Sequence, residues 1–92
     1  MSDESARRAA ARFMLDADPD PGLLPRVMEP FAKRGLIPGR MWSHRGSAEM
    51  HVEVAIEDAP AEMLGPIEGN LRQIVGVRRL VVLRKSQLAD AA

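Results

Sequence analysis

Apolar residues recur along this chain with two different periods, and the places where the period changes divide it into six segments. Ala9 to Leu15 alternates, with Ala11, Phe13 and Leu15 on one side and Arg12 and Met14 on the other, which predicts a short strand. Asp16-Ala17-Asp18-Pro19-Asp20-Pro21 stops it as a loop. From Gly22 the spacing turns helical: Leu24, Val27, Met28 and Phe31 form one face, and Arg26, Glu29, Lys33 and Arg34 the other. Asp20 and Pro21 are start signals, Gly35 is a natural C′ residue, and Lys33 and Arg34 suit the negative end of the helix dipole. Pro30 removes a backbone donor in the helix interior and predicts a bend there rather than a break.

Leu36 to His44 and Ala48 to Glu57 flank Arg45-Gly46-Ser47, a short Gly-containing connection of the hairpin kind. The second of these segments alternates cleanly through Met50, Val52, Val54 and Ile56. The first carries Pro38 and Gly39, which argue for an irregular start at a sheet edge. Asp58-Ala59-Pro60 reads as a helix start with Asp58 as N-cap, followed by Met63 or Leu64, Ile67, Leu71 and Ile74 at helical spacing. Gly65, Pro66 and Gly69 make that helix intrinsically poor, so its existence depends on packing. Gly76 ends it, and Val77 to Leu83 reads as a final, largely buried strand. Strand, helix, strand, strand, helix, strand predicts an α+β ferredoxin-like βαββαβ sandwich. Its four-stranded antiparallel sheet carries two helices on one face.

Length and composition narrow the picture. The chain has 92 residues, 46% of them apolar and 28% charged, enough for one folded domain, expected over residues 8–84 with flexible ends at 1–7 and 85–92. Thirteen Lys and Arg balance thirteen Asp and Glu, so no global field gathers nucleic acid or anionic membrane. The positives do cluster: Arg7, Arg8 and Arg12 near the start and Arg78, Arg79, Arg84 and Lys85 near the end would form a basic strip if those two segments are neighbouring strands. With no cysteine there is no thiolate nucleophile and no Cys-based metal site. No run approaches a membrane span, and a soluble cytoplasmic protein is expected. No catalytic triad or phosphate-cradling loop is present, so neither enzymatic activity nor a cofactor is expected.

Two places invite chemistry. At Asp20-Pro21-Gly22-Leu23-Leu24, where the first strand gives way to the helix, a Gly lets backbone approach a small ligand and helix-start N–H groups can meet a carboxylate. A tight loop and helix start is the other reading of the same residues. Trp42, with Met14, falls on the sheet face opposite the helices and could mark a partner surface. His44 and His51 oppose each other across the hairpin, yet a metal reading lacks a third ligand, and no metal is expected.

The corner Asp20-Pro21-Gly22-Leu23-Leu24, the helix end Phe31-Ala32-Lys33-Arg34-Gly35 and the strand lead-in Val75-Gly76-Val77 together resemble the ACT domain family, small regulatory modules of amino-acid metabolism. Through Arg34-Gly35-Leu36-Ile37 the chain is further similar to the free-standing small subunits of acetolactate synthase. The resemblance implies a non-catalytic regulatory module and a side-by-side homodimer joined through sheet edges. It further implies a small branched-chain amino acid bound by Asp20, Pro21, Gly22, Leu23, Leu24 and Ile37, and docking on a large catalytic subunit. Where amino-acid binders of the family often carry Asn after the Gly closing the first helix, this chain has Ile37. An alternative on the same strand order is an RNA-binding or protein-interaction module without a small ligand. RNA recognition needs stacked aromatics on the open face, and here Trp42 stands alone.

Overall fold

The computed structural model describes residues 7–86; of the ends expected to be flexible, 1–7 and 85–92, residues 1–6 and 87–92 lie outside that range. Strand β1 (Arg8–Ala17) leads to helix α1 (Leu23–Ala32), then β2 (Arg40–Arg45), β3 (Met50–Pro60), a 3₁₀ turn (Ala61–Met63), α2 (Leu64–Arg72) and β4 (Val77–Ser86). The four strands form one antiparallel sheet in the order β2-β3-β1-β4. The element order and the ferredoxin-like βαββαβ sandwich are those the periodicities predict.

The sheet has one dry face. Ala9, Ala11, Phe13, Leu15 and Ala17 of β1 and Val52, Val54 and Ile56 of β3 are buried against Leu23, Val27, Phe31, Leu64, Ile67 and Leu71 of the two helices, in one cluster. Phe13 meets Phe31 edge to face, ring centroids 5.4 Å apart. Two crossovers over one sheet leave both helices on the same side, so the period-two residues between the buried ones face outward on the other.

Several boundaries differ from the sequence reading, each for a physical reason. The apolar stripe of α1 is Leu23, Val27, Pro30 and Phe31, with Leu24 and Met28 at its margin. The helix therefore sits one position round from the predicted face and takes Pro30 into the core. It stops at Ala32 rather than Arg34, closed by a Schellman arrangement: Leu36 N–H donates to the Phe31 carbonyl and Gly35 N–H to that of Ala32, both at 3.0 Å, with Gly35 at φ +72°. β2 begins only at Arg40, after Pro38 and Gly39, and is wholly exposed at the sheet edge.

Asp58 does not cap the second helix. β3 continues through Pro60, and Asp58 pairs with Arg8 of β1 at 2.8 Å. A bulge opposite Ala9 to Ala11 supplies β3 with one extra residue, so that Ile56 and Ala59, three apart, both point inward while Glu57 and Asp58 face solvent. β4 is not a largely buried strand either. It runs to Ser86, through Lys85 and Ser86 of the segment assigned to the tail, but lies at the outer edge, where among residues 77–85 Leu80 alone is buried and Val81 and Leu83 stay exposed.

The weak second helix forms because Leu64, Ile67 and Leu71 are buried. Its two glycines differ in kind. Both are exposed and a Cβ at either would meet nothing within 4 Å, but Gly65 precedes Pro66, whose ring crowds any Cβ on the preceding helical residue. Gly69→Ala is therefore expected to add about 1 kcal/mol, seen as a rise of roughly 4–8 °C in melting temperature. Gly65→Ala should leave the melting temperature unchanged or lower. Equal gains from both in a thermal melt would contradict this assignment.

Candidate functional site

The corner at the start of α1 is built by short-range chemistry. Leu23 N–H donates to the Asp20 carbonyl at 3.0 Å and Arg26 N–H to that of Gly22 at 3.3 Å, while Pro25 has no N–H to offer. No side chain caps the helix, so Gly22 and Leu24 are left with backbone donors that no described residue accepts. Side chains on a helix lean toward its N-terminus, and Arg26 accordingly folds back over Gly22. Its guanidinium would lie 3.2 Å from a Cβ placed there, and it binds the Asp20 carboxylate at 2.8 Å. The corner thus presents an anion, a cation and two backbone donors within one turn of chain.

The residues expected at the site divide three ways. Asp20, Pro21 and Gly22 sit on the surface of the corner, and Leu24 is half-buried beside them. Leu23 is 1% exposed and belongs to the core, so its side chain holds the helix down rather than meeting a ligand. Ile37 is 88% exposed and follows the other end of α1. Ten helical residues put about 15 Å between the two ends, so one chain does not bring Ile37 to the corner.

Sequence reasoning missed Arg26, although its place four residues after Gly22 was signal enough. It also missed the second loop at this end of the sheet. Asp18 N–H donates to the Gly76 carbonyl at 2.9 Å and the Asp18 carboxylate pairs with Arg78, which ties the β1–α1 loop to the α2–β4 turn. No local pattern announces a contact between residues so far apart in sequence.

The open sheet face holds a second polar cluster. Register aligns His44 with His51 and Asp16, and Trp42 with Glu53 and Met14. The Trp42 ring stacks on His44, interplanar angle 13°, and meets the edge of His51. His51 Nδ1 lies 2.7 Å from Asp16 and Nε2 3.0 Å from Glu53. A neutral imidazole has one N–H, so both contacts are donated only by the imidazolium. The hydrogen bond to Asp16, then that to Glu53, accordingly raises the His51 pKa above its ordinary 6.5.

A pKa raised on folding stabilises the fold fully below about 6.5 and ceases to do so as pH rises through the folded-state value. Arg79, 3.7 Å from Asp16, and His44 also face this cluster. Melting temperature is expected to fall between pH 6 and pH 8.5, with His51→Gln removing most of that slope. An unchanged slope in the variant would place the titrating group elsewhere.

The basic strip expected along β1 and β4 is largely neutralised. The two strands are neighbours, but Arg8 pairs with Asp58, Arg78 with Asp18, Arg79 with Asp16, and Arg84 with Glu68. Arg72 and Arg84 together hold the Glu68 carboxyl below its usual range. Among the described residues no group of three His, Asp or Glu converges as a metal site, and no helix is long and apolar enough to cross a membrane.

A family model described as an ACT-like domain matches residues 3–89. No curated protein matches the chain. Among solved structures, the ACT domain of GTP pyrophosphokinase from Chlorobium tepidum is similar with a TM-score of 0.69 at 14% identity, covering 80% of this chain and 96% of that one. A homoserine dehydrogenase from Thiobacillus denitrificans matches with a TM-score of 0.71 at 16% identity over 90% of this chain and 18% of that enzyme. The regulatory subunit of aspartate kinase from Thermus thermophilus, in its ligand-free form, gives 0.62 at 14%, covering 87% of this chain and 58% of that one. At these identities the likeness to solved structures is one of fold.

Proposed function

Because the chain belongs to the ACT-like domain family, whose members are in general regulatory ligand-binding modules, we propose that it is a non-catalytic regulatory module holding a small amino acid at the β1–α1 corner. The observation that carries this reading is the Asp20–Arg26 pair folded over Gly22 beside the unaccepted N–H groups of Gly22 and Leu24. An α-amino acid is a zwitterion, and the corner matches it charge for charge. Asp20 receives the ammonium, while Arg26 and the helix-start N–H groups receive the carboxylate. The likeness in fold to the regulatory subunit of aspartate kinase supports the same direction.

Ile37 enters this site from a second chain. Two copies side by side, joined at a sheet edge, cover the exposed Ile37 of one protomer and add an apolar wall to the corner of its partner. A branched-chain side chain suits such a wall. Docking on a large acetolactate synthase subunit rests on the Arg34-Gly35-Leu36-Ile37 resemblance and is the finest part of the proposal.

The test is a thermal-shift panel of the twenty amino acids with the oligomeric mass measured in the same buffer. A ligand at 100 times its Kd adds about 2.7 kcal/mol, or roughly 10–20 °C for a domain of this size. Selective shifts with valine, leucine or isoleucine on a dimer are expected. In Gly22→Asp the new carboxylate takes Arg26 and the helix start for itself; only the flexible guanidinium must move, so the fold survives and the shift disappears. A dimer that responds to no amino acid, or a Gly22→Asp variant that responds undiminished, overturns the reading.

A further inference from the structure

On the face away from the helices, the sheet dips into a hollow of about 1130 Å³ whose floor is formed by Ala10 and Ala55. Its construction follows from register. Arg40 and Arg12 are both partners of Ala55, and Arg12 is in turn the partner of Leu83, so one row across the sheet reads Arg40, Ala55, Arg12, Leu83. Two strand spacings set the two arginine backbones about 9.6 Å apart, with a methyl group between them. Trp42 borders this row on β2, and Ala10 with Lys85 continues the floor and wall on the other side.

We propose that this hollow binds a small aromatic anion, its ring lying against Trp42 and its carboxylate or phosphate between Arg12 and Arg40. Three observations converge. Among the described residues neither Arg12 nor Arg40 has a hydrogen-bond or ion-pair partner, whereas the arginines at positions 8, 78, 79 and 84 on β1 and β4 are all paired. Two unpaired guanidinium groups flanking an alanine repel each other until an anion sits between them, and their planar forks match carboxylate and phosphate oxygens. The Trp42 ring is held by His44 and His51 yet stays 50% exposed where it lines the hollow, an aromatic platform already oriented.

The carboxylates at the rim leave the site cationic. Glu53 is engaged by His51 at 3.0 Å, which leaves Glu57 as the second acidic residue of the lining against Arg12 and Arg40. Ala55 keeps the space between the two arginines open, and Ala10 keeps it open on the side away from Trp42. The site is separate from the β1–α1 corner and uses none of its residues.

The single indole of the chain makes the test direct. The Trp42 indole N–H resonance is followed while 1-naphthoate, 1-naphthyl phosphate and neutral 1-naphthamide are titrated in turn, with calorimetry in parallel. Saturable movement is expected with an anion and not with the amide; the tighter of the two anions identifies the headgroup as carboxylate or phosphate. Arg12→Gln with Arg40→Gln, both exposed positions, should weaken binding about tenfold or more. Gly22→Asp should leave it unchanged, so that loss of the corner reading and loss of this one are told apart. Absence of saturable movement with both anions, equal affinity for the amide, equal affinity in the double variant, or a response to single-stranded RNA alone overturns the proposal.

Discussion

Phe31→Ala is expected to cost about 3–5 kcal/mol and to lower the melting temperature by roughly 12–40 °C. The ring is fully buried, packs edge to face on Phe13, and is the largest group that α1 contributes to the core. A domain of this size has one core and a total stability of roughly 5–14 kcal/mol, so a single lost ring removes a large share of it. The cavity would open between β1 and α1 with little chance of collapse, because Val27 and Leu23 are already fully engaged on either side. Phe31→Leu keeps most of the volume and should cost about 1.5 kcal/mol. Urea titrations read both, the midpoint falling while the slope stays constant. A loss below 1 kcal/mol for the alanine variant would show that the helix is not seated on this sheet as described.

Gly76→Val is the second large effect, expected at about 2–3 kcal/mol. Gly76 has φ +97°, which a β-branched residue adopts only as a severe outlier. The strain falls on a joint: the Gly76 carbonyl accepts the Asp18 N–H, and a Cβ at Gly76 would already lie 3.7 Å from Asp18 Cβ. Relief requires the turn to rotate, which breaks that hydrogen bond and loosens the β1–α1 loop leading to the corner. Asn, which tolerates positive φ better than other side chains, should recover much of the loss. Amide hydrogen exchange at Asp18 distinguishes the cause. Fast exchange at Asp18 in the valine variant, with the protection of β1 retained, is the expected pattern. Uniform loss of protection would mean global destabilisation without a specific joint.

The two proposed sites divide the molecule sensibly. The corner lies at the end of the sheet where α1 starts, tied to the α2–β4 turn through Asp18, Gly76 and Arg78. The hollow lies across the centre of the open face, and Trp42 and Glu53 at its rim also touch His51. Protonation of His51 secures both carboxylates on either side of it, so the pH that governs this cluster also governs the rim of the hollow.

Much of the fold was legible from periodicity. β1 and β3 alternate because they are the two central strands with one dry face, and central position makes every second residue pay the same penalty for polarity. The edge strands were harder to read. Leu80 to Leu83 within the predicted strand is apolar on both faces, which reads as burial on both sides, yet β4 is exposed at Val81 and Leu83. Apolar side chains at an edge carry no local mark of what they face. The helix boundary at Asp58 misled for a related reason: Asp followed by Ala-Pro has the chemistry of a helix start, but Arg8 on the neighbouring strand gave the carboxylate a better partner and β3 continued past it.

What the sequence by itself determined is whatever acts within a few residues: the two periods, the Schellman close at Gly35, the turn at Gly76, and the Asp-Pro-Gly start of α1. Each depends on local sterics or on hydrogen bonds between near neighbours, and so survives being read without a partner. What only the tertiary structure decided is which long-range neighbours meet. Register placed Arg12 and Arg40 on either side of Ala55 and His51 between Asp16 and Glu53. The side of α1 that turned inward sent Leu23 to the core and, with the helix length between them, kept Ile37 from the corner. A strand shifted by one residue would exchange every one of these contacts while leaving its local pattern of propensities untouched, which is why they are legible only once the sheet is assembled.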